Sequence, residues 1–172
     1  MSAPPEFRIE PLRQHDRAGF SCGETALDHY FRRQAGQDHR RHVATVFVAV
    51  EYGSDAVAGF YTLSATAIRL DGLPAVLARR LPRYPELPAI LLGRLVVDTR
   101  WQGHGLGRLL IADALVRCAA LTEIGVLFLV TDAKDAAAAS FYHHLGFLPL
   151  TDQPLRQLFV LDDVHRADQG KE

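Results

Sequence analysis

The hydrophobic positions along the chain follow two periods that take turns. Phe7 to Leu12 alternates well enough to start a strand, and from Thr25 onward Leu27, Tyr30, Phe31 and Ala35 recur at helical spacing behind a cap at Ser21 or Thr25. Val43–Glu51 and Val57–Leu70 are rich in β-branched residues and flank Gly53-Ser54-Asp55, which predicts two antiparallel strands joined by a hairpin turn. A short helix is expected within Asp71–Leu81, and Pro82, Pro85 and Pro88 then punctuate a loop that cannot continue it.

The second half reads as strand, helix, strand, helix. Ala89–Asp98 is an apolar run of strand length, and Gly105 opens a helix whose Leu106, Leu110, Ala114 and Cys118 share one face. Val126–Thr131 is another continuous apolar strand, followed by a helix from Asp135, as N-cap, to Gly146, as stop. Two strands joined through a helix run parallel. Phe147–Leu150 and Leu158–Leu161 return as closing strands, and Asp162–Glu172 is polar enough to fray.

Length and composition narrow this picture without naming a chemistry. At 172 residues and 48% apolar, the chain is long enough to bury one sizeable core, so a single domain over residues 1–172 is expected. A net charge of -1 excludes a uniformly basic nucleic-acid binder but leaves room for local patches. All basic residues except Lys134 and Lys171 are arginines, a bias that suits phosphate recognition and that a GC-rich coding sequence would also produce. Cys22 and Cys118 form no disulfide framework, the segment MSAPPEFRIE lacks the apolar core of a signal peptide, and no long apolar run could cross a membrane. A cytoplasmic protein with no membrane partner is the expectation.

The sharpest local pattern is Gln102-Gly103-His104-Gly105-Leu106-Gly107, set between the strand ending at Asp98 and the following helix. Glycines there let the backbone turn tightly and approach a ligand, while the free amides of the helix start face a bound anion. Three glycines alone would equally serve an ordinary loop. The segment lacks the Gly-Lys-Ser/Thr ending of a nucleotide-triphosphate loop and has the wrong glycine order for a dinucleotide turn. Q-x-x-G-x-G resembles the pyrophosphate loop of GNAT acetyltransferases, and the resemblance widens to LLGRLVVD before it and SFYHHLGF after it.

That resemblance implies an α/β (α+β) GNAT fold: a mixed, mostly antiparallel sheet, flanked by helices, whose parallel central strands splay to admit CoA. It implies acetyl-CoA as acetyl donor, with no metal. By the same analogy the backbone of Leu95, Val96 and Val97 pairs with the pantetheine arm. The loop amides of Gln102, Gly103, His104, Gly105, Leu106, Gly107 and Arg108 hold the pyrophosphate, with Arg108 adding charge. Tyr142 stands where many family members carry a tyrosine that protonates the leaving CoA thiolate. A phenol can relieve charge on a thiol of pKa about 8.5 without a metal, although Phe141 and Tyr142 could also simply pack the helix on the sheet. The asparagine that often meets pantetheine is missing from Thr131-Asp132-Ala133-Lys134-Asp135.

The N-terminal half narrows the branch. Phe20-Ser21-Cys22-Gly23, Leu27-Asp28-His29-Tyr30 and Gly59-Phe60-Tyr61-Thr62-Leu63-Ser64, in that order, resemble the GNAT toxins of type II toxin–antitoxin systems. Those enzymes acetylate the free α-amine of aminoacyl-tRNA and stop translation. The resemblance implies aminoacyl-tRNA as substrate, a homodimer, and a cognate antitoxin, commonly a ribbon–helix–helix protein. Between these blocks Arg32, Arg33, Arg40 and Arg41 face a single acid, Asp38, and Arg79, Arg80 and Arg83 form a second cluster. If the first helix survives Gly36, Arg33 and Arg40 share a face that could follow a phosphate backbone; a solvated helix face would look the same.

Two rival functions remain at this level: a GNAT enzyme for a small amine or a protein N-terminus, and a degenerate module that binds CoA or a partner without catalysis. The first would act on short peptides regardless of salt, whereas Tyr142 and the intact loop argue against the second. His15, His29, His39, His42, His104, His143 and His144 show no paired metal spacing, and no GxSxG elbow is present. No carboxylate stands out in the sequence as a general base; Glu51 and Asp98 stay open, and the base is unassigned.

Overall fold

The computed structural model describes residues 6–164; the first residues of MSAPPEFRIE and the tail beyond Val164 lie outside the described residues. Seven strands are hydrogen-bonded in the order β1-β2-β3-β4-β5-β7-β6, comprising β1 (Phe7–Pro11), β2 (Thr45–Glu51), β3 (Val57–Arg69), β4 (Glu86–Val97), β5 (Phe128–Asp132), β6 (Leu148–Pro149) and β7 (Arg156–Val160). The chain forms two compact units, residues 1–64 with 93–113, and residues 65–92 with 114–172. Neither is a continuous stretch of sequence.

In the first unit β1 pairs antiparallel with β2, and β2 with β3 through the Gly53–Asp55 hairpin, where Gly53 and Asp55 both take positive φ. β2 starts at Thr45 rather than Val43, because His42 turns the chain at φ +59 and leaves Val43 61% exposed. The core is aromatic: Phe31 stacks on Phe60 at 4.2 Å and Phe20 meets Phe31 edge-on at 4.7 Å, each pair contributing about 1 kcal/mol beyond its area. Gly59 is needed where β3 passes β4, since a β-carbon there would sit 2.9 Å from the Val96 carbonyl.

The first helix departs from expectation in two ways. Neither Ser21 nor Thr25 caps it: the helix α1 (Thr25–His29) follows Glu24, which makes no side-chain cap. Ser21 Oγ and the Cys22 amide instead donate to the Asp28 carboxylate, at 3.2 and 2.8 Å, folding the preceding loop back over the first turn. A π-helical turn, Tyr30–Gln34, then separates α1 from α2 (Ala35–Arg40). It explains why the buried pairs Tyr30-Phe31 and Ala35-Gly36 are spaced by five. The helix does survive Gly36, but a π turn carries an extra residue and rotates α2 about the helix axis, so the seven-residue spacing no longer guarantees one face for Arg33 and Arg40.

In the second unit β4 runs parallel to β5 from Ala89–Phe128 to Leu92–Thr131, β5 pairs antiparallel with β7, and β7 with β6. The parallel ladder stops at Leu92, one residue before β5 ends at Asp132, while β4 continues to Val97. Asp135 caps α5 (Ala136–His144) by accepting the Ala138 amide at 2.8 Å, and Gly146 follows its end at φ +100, as read from the sequence. The Asp71–Leu81 helix is reduced to a 3-10 turn, Leu70–Gly72, and one α turn, α3 (Ala75–Ala78). Ile68, Leu77, Leu87, Phe128, Val130, Leu150 and Leu158 form this unit's core.

Candidate active site

The loop after β4 is built by side chains that hold its base and leave its amides free. Asp98, 1% exposed, accepts hydrogen bonds from the Ser21 amide at 3.1 Å, the Arg100 amide at 2.9 Å, and Arg100 Nε and Nη2 at 2.9 and 3.1 Å. Burial pushes its carboxyl upward, but Arg100 and the two amides outweigh that and hold it below its usual range. Both oxygens are occupied, so Asp98 anchors the loop. Glu51 accepts Ser54 Oγ at 2.6 Å in the hairpin turn.

Gln102 Nε2 donates to the carbonyls of Val97 and Cys22, at 2.9 and 3.0 Å, tying the loop to the end of β4. Gly103 and Gly105 then turn at φ +78 and +83, and a β-carbon on either would meet nothing within 4 Å. The helix α4 (Leu106–Ala119) starts directly after, with the Leu109 amide bonding Gly105 at 3.2 Å. The amides of Gly103 to Arg108 bond no acceptor among the described residues. This is a nest of free N–H donors at a helix start in open space, a geometry that fits a diphosphate. Leu106, Leu110, Ala114 and Cys118 are all buried, as the helical spacing predicts, and Arg108 is exposed.

Within β4, Leu95 and Val97 are half-buried and Val96 is buried. The Arg94 amide, just before them, donates to Thr62 Oγ1 at 3.1 Å. The Arg94 guanidinium lies 3.6 Å from the Tyr30 ring centroid. Neither Thr62 nor Arg94 stands out in sequence, because each reads as one more strand position.

In the second unit Tyr142 is 7% exposed on α5. Burial raises its phenol above the ordinary value of 10, and a hydrogen bond with Thr131 works against the rise. Thr131 is itself buried and donates to the Leu92 carbonyl at 3.2 Å, at the last rung of the parallel ladder. Sequence reading missed Thr131, which is hidden in an apolar run. Asp132 is committed to Arg156 in a two-pronged ion pair, at 2.8 and 3.2 Å.

The arginines are sorted by the fold. Arg32 donates to the Phe20 carbonyl although it is exposed, as Arg33, Arg40 and Arg41 also are. Arg79 and Arg80 part company: Arg79 lines a groove of 540 Å³ with Arg69, Asp71 and Arg83, while Arg80 lines another with Cys118 and Leu121. Among the described residues, no group of three or more His, Cys, Asp or Glu side chains could hold a metal, and no helix is long and apolar enough to cross a membrane.

Comparison with known proteins fits this geometry. The chain is 32% identical over 166 residues to a probable toxin TacT of Sinorhizobium fredii, covering 91% of this chain and 92% of that one. It is 35% identical over 150 residues to a tRNA-acetylating toxin of Mycobacterium tuberculosis, covering 87% and 88%. Among solved structures, AtaT complexed with acetyl-methionyl-tRNAfMet superposes with a TM-score of 0.87 at 27% identity, over 94% of this chain and 99% of that one. A tyrosine-to-phenylalanine mutant of AtaT, bound to acetyl-CoA and the C-terminus of the antitoxin AtaR, gives 0.77 at 25% identity, over 94% and 97%. The acetyltransferase (GNAT) domain profile matches residues 42–149, the stretch that holds both the glycine loop and Tyr142, and on that match the chain belongs to the GNAT acetyltransferase family.

Proposed function

We propose that this protein transfers the acetyl group of acetyl-CoA to the α-amine of aminoacyl-tRNA, and so blocks translation as the toxin of a toxin–antitoxin pair. The observation that carries the reading is the near full-length likeness to a tRNA-acetylating toxin. The free amides of Gly103 to Arg108 support it on the donor side.

In this reading the amides from Gln102 to Arg108 hold the diphosphate, and the backbone of Leu95, Val96 and Val97 aligns the pantetheine arm. A backbone amide near Val97 steadies the oxyanion. The substrate amine attacks the acetyl carbonyl directly, the new C–N bond forms as the C–S bond breaks, and Tyr142 delivers a proton to the departing thiolate. The proton shed by the new amide nitrogen passes to solvent, which returns one to the phenolate. The raised pKa of Tyr142 keeps its proton in place through the neutral range. The ester beside an aminoacyl amine leaves more of it neutral than a lysine of pKa about 10.4, so no strong base is required. Arg33, Arg40, Arg41, Arg79 and Arg80 contact the RNA in this account, and Arg32 supports the helix that carries the first group.

The protein acts in the cytoplasm as a homodimer, and a ribbon–helix–helix antitoxin restrains it. A cell-free translation reaction tests the whole reading: added protein should stop synthesis only when acetyl-CoA is present, and fresh charged tRNA should restore it. Arrest without acetyl-CoA would refute the acetylation mechanism.

A further inference from the structure

Two arginines from distant parts of the sequence converge on one point above Gly36. A β-carbon on Gly36 would lie 3.0 and 3.3 Å from Arg17 Nη2 and Nη1, and 3.3 Å from Arg40 Nη1. Arg17 is fixed from behind: its Nη1 donates to the Phe31 carbonyl at 2.7 Å, and its guanidinium packs 5.8 Å from the centroid of the fully buried Phe31 ring. No carboxylate among the described residues forms an ion pair with either arginine. Asp38, the only acid between Tyr30 and Arg41, is taken by Tyr30 Oη at 3.0 Å and Gln34 Nε2 at 2.9 Å.

Like charges held together beside a buried ring repel, and among the described residues no carboxylate is paired with them to offset the repulsion. Burial and then the Arg40 charge both lower the Arg17 pKa. An anion between the two forks would reverse the sign of that interaction, and paired guanidiniums match the oxygens of a phosphate. Glycine, disfavoured inside a helix relative to alanine, leaves the point of convergence open. Arg33 in the π turn and Arg41 just after α2 are exposed too, so the cations continue beyond one point, as a polyanion backbone needs and a free phosphate does not.

We propose that Arg17 and Arg40, across Gly36, clamp a single phosphodiester of the RNA substrate. The proposal rests on the RNA reading above and adds to it Arg17, which lies outside both sequence clusters. It is tested with labelled uncharged tRNA, by anisotropy over a salt series, on the full-length protein.

Arg40→Gln should weaken binding about tenfold and lower the slope of log affinity against log salt by about one, as for one lost phosphate contact. Adding Arg17→Gln should cost little more, because both side chains serve the same phosphate. Thermal melting of Arg40→Gln should match or exceed that of the wild type, since a repulsion is removed. Unchanged affinity and slope in Arg40→Gln, fully additive losses in the double variant, or a fall in melting temperature that parallels the loss of binding would each overturn the clamp. A wild-type protein that binds no tRNA even at low salt would instead remove the RNA reading itself, and the clamp with it.

Discussion

Thr131 stands at the last rung of the β4–β5 ladder and hydrogen-bonds the phenol of Tyr142, which burial otherwise pushes above its ordinary pKa. Threonine thus positions the proposed proton donor. Thr131→Val removes that bond at nearly constant volume, so the phenol loses a partner that holds its hydroxyl in place. Turnover should fall by roughly tenfold with little change in the KM for acetyl-CoA. Tyr142→Phe should lose more, on the order of 10²-fold or greater, while keeping acetyl-CoA affinity. Steady-state kinetics on both variants decides it, and unchanged turnover in Tyr142→Phe would eliminate it as the acid.

Gly105 turns the chain into α4 at φ +83 with open space where a side chain would project. Substitution therefore acts through backbone strain at the loop and not through crowding by protein atoms. Gly105→Val should weaken acetyl-CoA binding at least tenfold, and cost about 1–2 kcal/mol of stability. Calorimetric titration of a variant shown by circular dichroism to be folded would detect this; wild-type affinity would contradict the loop's role.

Tyr30 is buried, donates to Asp38 at 3.0 Å, and has its pKa pushed up to about 12, by burial first and by Asp38 second. Between pH 10 and about 12 the unfolded chain has lost this proton while the folded chain keeps it. Folding then takes up a proton, so stability falls as pH rises, by about 1.4 kcal/mol for each pH unit from this group alone. Below pH 10 the contribution is fully present. Urea unfolding across that range should show the decline, with a smaller slope in Tyr30→Phe. Tyr142, also raised, keeps the slope from vanishing.

The parts of the molecule legible in sequence are those decided locally. Asp135 and Gly146 bound α5 as read, because a cap and a left-handed stop are properties of a few adjacent residues. The glycine loop was legible for the same reason. The π turn at Tyr30–Gln34 was not, since apolar spacings of three, four and five overlap in so short a segment, and its effect on Arg33 and Arg40 was lost with it. Thr131 and Thr62 were invisible because their partners, Leu92 with Tyr142 and Arg94, are distant in the chain. Arg79 and Arg80, neighbours in sequence, line different grooves, and Arg17 meets Arg40 from another part of the chain.

The acetylated product itself separates this reaction from its rivals. Purified protein should be incubated with labelled acetyl-CoA and a pool of charged tRNA, the RNA digested to its terminal aminoacyl-adenosine, and the label located by mass spectrometry. One acetyl group is expected on the α-amine of the amino acid, none on tRNA deacylated beforehand, and near-complete loss with Tyr142→Phe. Label transferred to generic peptides but to no charged tRNA would contradict the proposed reaction.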